Sequence, residues 1–557
     1  MSIEKNKSSK SSLCGPGEDC KEESIKSSQP LHHTGGVGGS GMLGKDGGIS
    51  REICHREAKA STKGTTSHKK EAFSAVTEVG VLRSSDEVPV MGMEQRRGSC
   101  ASVSEVERER LDGSEELTTG TESKKMTRVR KLQRTLYRQA KKNPKWRAWS
   151  LYGDLCSREF LEEALWKVIA NGGKPGIDGM SVEALRDDDG MRELWLTRLE
   201  EELREKTYTP KPIRRVYIPK GNGGKEKRPL GIPTVKDRTV QMAVKMLIEP
   251  IFEADFHENS FGYRPKRGAH EAIEAIIKAL WNGRREVVDA DLSSYFDTIP
   301  HAKLMRLIKG RVSDGSILKL IKGWLRAEIV EEDKKSGKKQ TKKNRCGTPQ
   351  GGVISPLLAN IYLDALDKVV NTGKQMKAVM VRYADDMVLL CPKGRGKQVY
   401  DLLKKWLEKR DLKLNEEKTR IVDFHQEHLE FLGFRMSWRK SPKGKYYPHT
   451  EASPKSCQKM REAIRMETRR NTFKKDEKEV FNRVNQRLRG WAQYYHFRNS
   501  TKVLSSMQNY AEERMRRWLW KRHGQTHGHY AERRNNERLH QHYGLINLPL
   551  HAPWKHS

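Results

Sequence analysis

Tyr383-Ala384-Asp385-Asp386 sets two carboxylates side by side between apolar runs, Ala378-Val379-Met380-Val381 before and Met387-Val388-Leu389-Leu390 after. Short β-branched runs split by a tight polar turn predict a hairpin with both aspartates at its tip. Adjacent carboxylates repel unless a cation or hydrogen bonds offset their charge. A divalent metal would do so, and an ordinary Asp-Asp surface turn fits the four residues equally well. A third carboxylate tips the balance. Glu286-Val287-Val288-Asp289-Ala290-Asp291-Leu292 reads as a strand carrying Asp291 at its end. Three aspartates from a strand end and a facing hairpin suit two Mg²⁺ ions roughly 4 Å apart, clamping attacking and leaving oxygens in phosphoryl transfer. Mg²⁺ needs only one or two protein carboxylates, because water and substrate phosphates complete its shell. Mn²⁺ would be a substitute.

Two further segments could hold a phosphorylated ligand. Ile218-Pro219-Lys220, a Gly-rich turn at 221–224 and Lys227-Arg228-Pro229 form a basic hairpin. Its Lys and Arg could grip a triphosphate, Arg through its fork and Lys as a point charge. A solvated basic turn is the plainer reading. Gly347-Thr348-Pro349-Gln350-Gly351-Gly352 has glycines that permit close backbone approach to a ligand or template, and a structural loop fits it as well.

Charge identifies the class of partner. The 557 residues carry a formal net charge of +35, which points to a polyanion. Residues 1–125 hold 19 Lys and Arg against 20 Asp and Glu, whereas from Arg435 onward there are 28 against 10. Half of the excess therefore lies in the last 123 positions, and nucleic acid is the expected partner. There, Arg487-Leu488-Arg489-Gly490-Trp491-Ala492-Gln493-Tyr494-Tyr495 and Arg516-Arg517-Trp518-Leu519-Trp520-Lys521-Arg522 interleave basic and aromatic side chains. Such helices suit phosphate contacts and stacking on unpaired bases. Trp491 and Tyr495, four apart, would also serve as core partners.

The positioning elements follow from pattern. Residues 1–125 contain one of the chain's 40 aromatic residues, Phe73, and are rich in Gly, Ser and Thr. They read as a disordered low-complexity extension, because so little apolar surface cannot offset chain entropy. Its deletion is expected to leave the chemistry intact. Ser157 is expected to cap a helix ended by Gly172, and another helix is expected over 235–252. Ser355-Pro356 reads as a cap followed by first-turn proline. Strands are expected at 213–218, 286–292, 378–383, 387–391 and 419–424, with a helical, basic pattern after Gly433. Eight cysteines contain no Cys-x-x-Cys pair, and no run of about 18 apolar residues occurs. Neither a zinc ribbon, a signal peptide nor a membrane span is expected, and a reducing cytoplasm is the default.

In order, these pieces resemble reverse transcriptases encoded by bacterial group II introns. The series runs from Gly176-Ile177-Asp178-Gly179 through the basic hairpin to Ser260-Phe261-Gly262-Tyr263-Arg264-Pro265. It continues with Asp291-Leu292-Ser293-Ser294-Tyr295-Phe296-Asp297, Pro349-Gln350-Gly351 and the Tyr-Ala-Asp-Asp box. Leu414-Asn415, Lys418-Thr419 and Phe431-Leu432-Gly433-Phe434 complete it, so that roughly residues 146–522 are covered. The 484–495 segment resembles the maturase-specific thumb of intron-encoded proteins.

The resemblance implies an α+β right-hand polymerase. Fingers and an antiparallel palm would occupy 126–435 and an all-α basic thumb or maturase domain 436–522, with a short basic segment at 523–557 as a reduced DNA-binding region. Asp291, Asp385 and Asp386 would be the catalytic metal ligands for two Mg²⁺ ions. Lys220 and Arg228 would contact nucleotide phosphates, Phe296 would exclude a ribose 2′-OH, and Gln350 would line the nucleotide or template pocket. Arg487, Arg489, Trp491, Tyr494, Tyr495, Arg517 and Lys521 would bind RNA. The implied partners are group II intron RNA, an RNA template with DNA primer, target DNA and dNTPs, in a bacterial cytoplasm and in association with the nucleoid. Splicing assistance and copying during intron mobility would be the function. A domesticated reverse transcriptase in phage defence or repair is the first alternative, and the basic aromatic helices argue against it. A splicing cofactor that only binds RNA is the second, and the three aspartates argue against that. No cysteine follows Cys457, so the cysteine-paired His-Asn-His nuclease of many intron proteins is not expected, and primers other than a self-made nick would be used. Histidines 523, 527, 529, 540 and 542 could suggest metal binding but are read as lacking acidic or thiol company, and no metal site is expected there.

Overall fold

The computed structural model describes residues 127–219, 227–332, 339–373, 375–523 and 536–549. The extension read at 1–125, Lys220 and much of 523–557 lie outside them. Helices α1 (Arg128–Lys142), α2 (Tyr152–Leu155), α3 (Arg158–Asn171), α4 (Val182–Asp187) and α5 (Asp189–Arg204) lead into β1 (Ile213–Pro219) and β2 (Lys227–Ile232). Next come α6 (Val235–Glu253), α7 (Ala269–Trp281), β3 (Glu286–Ala290), α8 (Tyr295–Thr298), α9 (His301–Lys309) and α10 (Gly315–Arg326). β4 (Ile329–Glu332), β5 (Lys339–Lys342), α11 (Ser355–Thr372), β6 (Val379–Tyr383), β7 (Asp386–Cys391), α12 (Gly396–Glu408) and β8 (Arg420–Asp423) follow. The series ends with β9 (Leu429–Phe431), β10 (Phe434–Lys440), β11 (Tyr446–Ala452), α13 (Pro454–Glu467), α14 (Glu477–Tyr495), α15 (Thr501–Arg522) and α16 (Asn536–Gln541). The fold is α+β with a helical C-terminal region.

Strand order β6-β7-β3-β8 makes the central sheet, antiparallel throughout. Its strands read as continuous apolar runs because both faces are covered. Val288, Ala290, Met380, Met387 and Leu389 join the large helical core, while Val287, Val381, Val388, Leu390 and Val422 pack with α7 and with β9 and β10. The three aspartates lie where the strands run out, and the polar residues within the strands, Asp289 and Arg382, are each held in an ion pair.

A second sheet, ordered β2-β1-β4-β5, carries the basic hairpin. A third, β11-β10-β9, corrects the expectation of helix directly after Gly433: helices resume only at Pro454. The missed signal is a period of two. Phe434 and Met436 are buried while Arg435 and Ser437 are less so, and the many basic residues on these strands obscured that alternation. Ser355 is also corrected. It is the first residue of α11 rather than its cap, and its hydroxyl donates to the Pro349 carbonyl at 2.9 Å. Ser157 precedes α3 as expected but makes no side-chain capping bond, and Gly172 ends that helix at φ 61°.

Candidate active site

The β6–β7 ladder closes on the pair Tyr383 and Asp386, leaving Ala384 and Asp385 as a two-residue loop. Ala384 takes φ 61°, the left-handed conformation such tight hairpins require. Two neighbours hold it there. Gly262 abuts the turn so closely that a Cβ at this position would meet the Ala384 backbone nitrogen, which gives the Gly of Phe261-Gly262-Tyr263 a physical reason. Arg382, wholly buried, donates from Nη1 to the Ala384 carbonyl at 2.8 Å and to Asn360 Oδ1 at 2.9 Å. Its Nη2 reaches Ser260 Oγ at 2.7 Å and Asp367 Oδ2 at 2.6 Å, and Asn360 Nδ2 donates to the Gly262 carbonyl at 2.8 Å. Together these contacts fix where Asp385 stands.

Asp291 follows β3 directly. The ladder pairs Asp289 with Val388 and Ala290 with Met387, so the next step of the register sets Asp291 against Asp386. The 413–419 segment grips the same stretch. Asn415 N–H donates to the Asp291 carbonyl at 2.8 Å, Asn415 Nδ2 lies 3.2 Å from Asp291 Oδ2, and Lys418 Nζ lies 3.1 Å from it. Arg420 pairs with Asp289 at 3.1 Å. Lys418, Asn415 and Asp289 have no role in the sequence reading; only the third dimension shows that they surround Asp291.

Electrostatics mark the cluster. Burial first, then Asp385, Asp291 and Asp289, push the Asp386 carboxyl up to about 6, against the pull of Lys418. Asp386 retains contact with solvent, so the like charges matter more than burial alone would imply. Asp385 is also raised, by burial and by Asp291, while Arg228 and Arg382 hold it down. Like charges directly across a strand pair are destabilising, and a hard cation with oxygen preference is the group that relieves them. Among the described residues no three carboxylate, thiol or imidazole groups enclose an ion by themselves. The donor set nevertheless fits Mg²⁺, whose shell is completed by water and substrate phosphates.

Arg228 is thus brought beside the aspartates, on the exposed start of β2. Gln350 Nε2 lies 3.4 Å from Asp297 Oδ2, and the Gln350 carbonyl accepts Gly231 N–H at 2.6 Å. Gly351, at φ 110°, lies so close to the Gly231 carbonyl that a side chain would collide with it. Phe296, half-buried, accepts Thr348 N–H at its carbonyl, 2.6 Å away. The loop therefore bridges Phe296-Asp297 on one side and the basic hairpin, at Gly231, on the other.

The C-terminal residues divide. Tyr494 and Tyr495 sit in the junction between the helices and the third sheet, their hydroxyls donating to the Leu432 carbonyl at 3.0 Å and to Ser456 Oγ at 2.8 Å. Trp491 packs 5.1 Å from Tyr495. These rings serve packing, whereas Arg487, Arg489, Arg517 and Lys521 are exposed. Two of the C-terminal histidines have acidic neighbours after all, His523 with Glu477 at 2.8 Å and His540 with Glu512 at 3.1 Å.

Residues 218–436 match the reverse transcriptase (RNA-dependent DNA polymerase) family, and residues 457–536 match the group II intron maturase-specific domain. Protein YkfC of Escherichia coli is 34% identical over 356 residues, 57% of this chain and 90% of that protein. The chain belongs to the group II intron-encoded reverse transcriptases. Group II intron-encoded protein LtrA of Lactococcus lactis is 42% identical over 194 residues, 34% of this chain but only 31% of LtrA. A protein of the cob intron in Schizosaccharomyces pombe is 33% identical over 228 residues, 40% of this chain and 26% of that protein. As a family member the chain pairs an RNA-directed DNA polymerase domain with a maturase domain. No described helix is long and apolar enough to cross a membrane.

Proposed function

We propose that the chain copies RNA into DNA from a primer end held at Asp291, Asp385 and Asp386, and that its helical region binds the intron RNA that it helps to splice and then copies. The observation that carries this reading is the cluster of three aspartates at the sheet end, whose mutual repulsion Lys418 and Arg228 offset only in part, since Asp385 and Asp386 stay raised. In the reaction the primer 3′-oxygen bonds to the α-phosphorus of a deoxynucleotide and pyrophosphate leaves. Bound Mg²⁺, held by Asp291 and Asp385 with Asp386 in support, would neutralise the developing phosphoryl charge. Arg228 would orient the triphosphate, and Phe296 with Gln350 would shape the sugar and template side. Arg382 and Gly262 act through position: they hold the turn, and a misplacement of about 1 Å can cost 10²-fold in rate. In this reading the polymerase body extends through Ala452 and the RNA-binding helices begin at Pro454. Exposed Arg487, Arg489, Arg517 and Lys521 would meet RNA phosphates, target DNA would serve as the site of insertion, and the nucleoid would be the place of work.

Primer extension on an RNA template with dNTPs and Mg²⁺ tests it. Wild type should extend and Asp385→Asn should fall by roughly 10²–10³-fold or more. Equal inactivity of both would refute the polymerase reading. Loss of splicing in a precursor intron RNA on reversing the exposed arginines to Glu would test the second half.

A further inference from the structure

A separate group of aromatic and basic residues lies at the end of the central sheet farthest from the aspartates. Trp281 is the last residue of α7, Arg285 precedes β3, His425 follows β8, and Trp438 and Tyr446 lie on β10 and β11. Arg285 Cζ stands 4.5 Å over the Trp438 ring. Tyr446 is parallel to Trp438 within 5°, its centroid 6.5 Å away, and Trp281 and His425 meet that ring edge-on at 5.8 and 5.9 Å. Register sets Lys440 opposite Tyr446. From Arg285 to Asp291 is six residues of extended chain, about 20 Å, so this group is remote from the polymerase centre.

Its exposure is what calls for a ligand. Trp281 is 54% and Tyr446 53% exposed, although each is held beside the same Trp438. On the β10–β11 hairpin beside Tyr446, Lys440, Lys443 and Lys445 are all exposed, and the nearest exposed carboxylate of the β8 end is that of Glu427, past His425. Asp423 is already engaged, by His425 N–H at 2.9 Å and Lys393 at 3.4 Å. Arg285 Nε has no hydrogen-bond partner. Exposed planar faces with lysines beside them match a ligand that is both planar and anionic, whereas protein interfaces are depleted in lysine.

We propose that this end of the sheet binds an unpaired stretch of RNA, with bases stacked on Trp281 and Tyr446 and phosphates against Lys440, Lys443 and Lys445. Unpaired RNA is favoured over duplex because only splayed bases offer free faces to aromatic side chains. The proposal rests on the reading that the chain handles intron RNA, and it adds a contact outside both the polymerase centre and the maturase helices. It would let the protein hold a single-stranded loop while the aspartates work on another part of the molecule.

The test uses the full chain with its polymerase site saturated by a template–primer duplex, plus a single-stranded RNA carrying 4-thiouridine. Irradiation should give adducts on the peptides holding Trp281 or Tyr446. The double variant Trp281→Ala with Tyr446→Ala should weaken single-stranded RNA binding about tenfold or more, with extension on the preformed duplex unchanged. Should that variant fold poorly, Lys443→Glu with Lys445→Glu, at the exposed hairpin tip, should weaken binding and flatten its salt dependence by about two charges. Adducts confined to other peptides, together with wild-type affinity in the variants, would overturn the proposal, as would dependence of a protein partner alone on the two rings. Failure of the polymerase reading looks different: wild type itself would not extend.

Discussion

Arg382 and Asp367 form an ion pair from which solvent is excluded, with 1% exposure of either side chain and Nη2 2.6 Å from Oδ2. Nε of the same guanidinium is 2.8 Å from Oδ1, so the contact is bidentate. A buried pair of this kind is weak evidence of net stabilisation, but removing one partner strands the other charge. Arg382→Met should therefore lower unfolding stability by about 3–5 kcal/mol. Arg382→Lys keeps the charge but cannot span Asp367, Asn360, Ser260 and the Ala384 carbonyl together. It should fold, with kcat for primer extension reduced more than nucleotide KM. Chemical denaturation and steady-state extension separate the two variants, and an Arg382→Lys enzyme with wild-type kcat would show that the turn needs no such brace.

Gly262 supports the same turn by having no side chain. A Cβ there would collide with backbone atoms of Tyr383 and Ala384, and backbone cannot swing aside as a flexible side chain can. Gly262→Ala should displace Asp385 and cut kcat by roughly 10²-fold, with a circular dichroism spectrum like that of wild type. An unimpaired enzyme would mean the hairpin shifts as a unit without harm to the site.

Mg²⁺ should stabilise the protein even without substrate, since it relieves repulsion among Asp291, Asp385 and Asp386. Ligand at a hundred times Kd adds about 2.7 kcal/mol to the native state. Thermal melts in EDTA and in Mg²⁺ should differ for wild type and differ less for Asp385→Asn. In EDTA near neutral pH, Asp386→Asn should melt higher than wild type, because it deletes a carboxylate that its neighbours oppose. Equal magnesium shifts in wild type and Asp385→Asn would place the bound ion elsewhere.

The hairpin and the strand under Asp291 were legible because sheet residues in a doubly covered layer are mostly apolar, which leaves Asp385, Asp386 and Asp291 conspicuous at its margin. Arg382 was not. Beside Tyr383 it reads as one more basic residue in a basic chain, and its partners Asp367, Asn360 and Ser260 are up to 122 positions away. For Tyr494 and Tyr495, basic neighbours in sequence suggest an open face, and helix periodicity sets both half-buried rings against Phe434. Lys418 and Asn415 could be found by motif order but not assigned a contact, because a loop closing on a strand leaves no periodic trace.

His496 should make the junction below the third sheet sensitive to acid. It follows α14, its backbone N–H bound to the Ala492 carbonyl at 2.7 Å, and burial with help from His270 lowers its pKa from 6.5 to about 4. Because the folded value lies below the unfolded one, the unfolded chain binds the proton more readily between pH 6.5 and 4. Stability contributed by the neutral imidazole is therefore complete above pH 6.5, falls as pH drops through that window, and is lost near pH 4. Asp386, raised from 3.8 to about 6, works in the opposite sense: in metal-free buffer its repulsion is relieved as pH falls from 6 towards 4. The informative quantity is thus the difference between wild type and His496→Gln, with Asp386 present in both. Urea unfolding from pH 7.5 to 4.5 should show the wild type losing stability relative to the variant below pH 6.5, and parallel curves would mean that His496 takes up its proton without disturbing the junction.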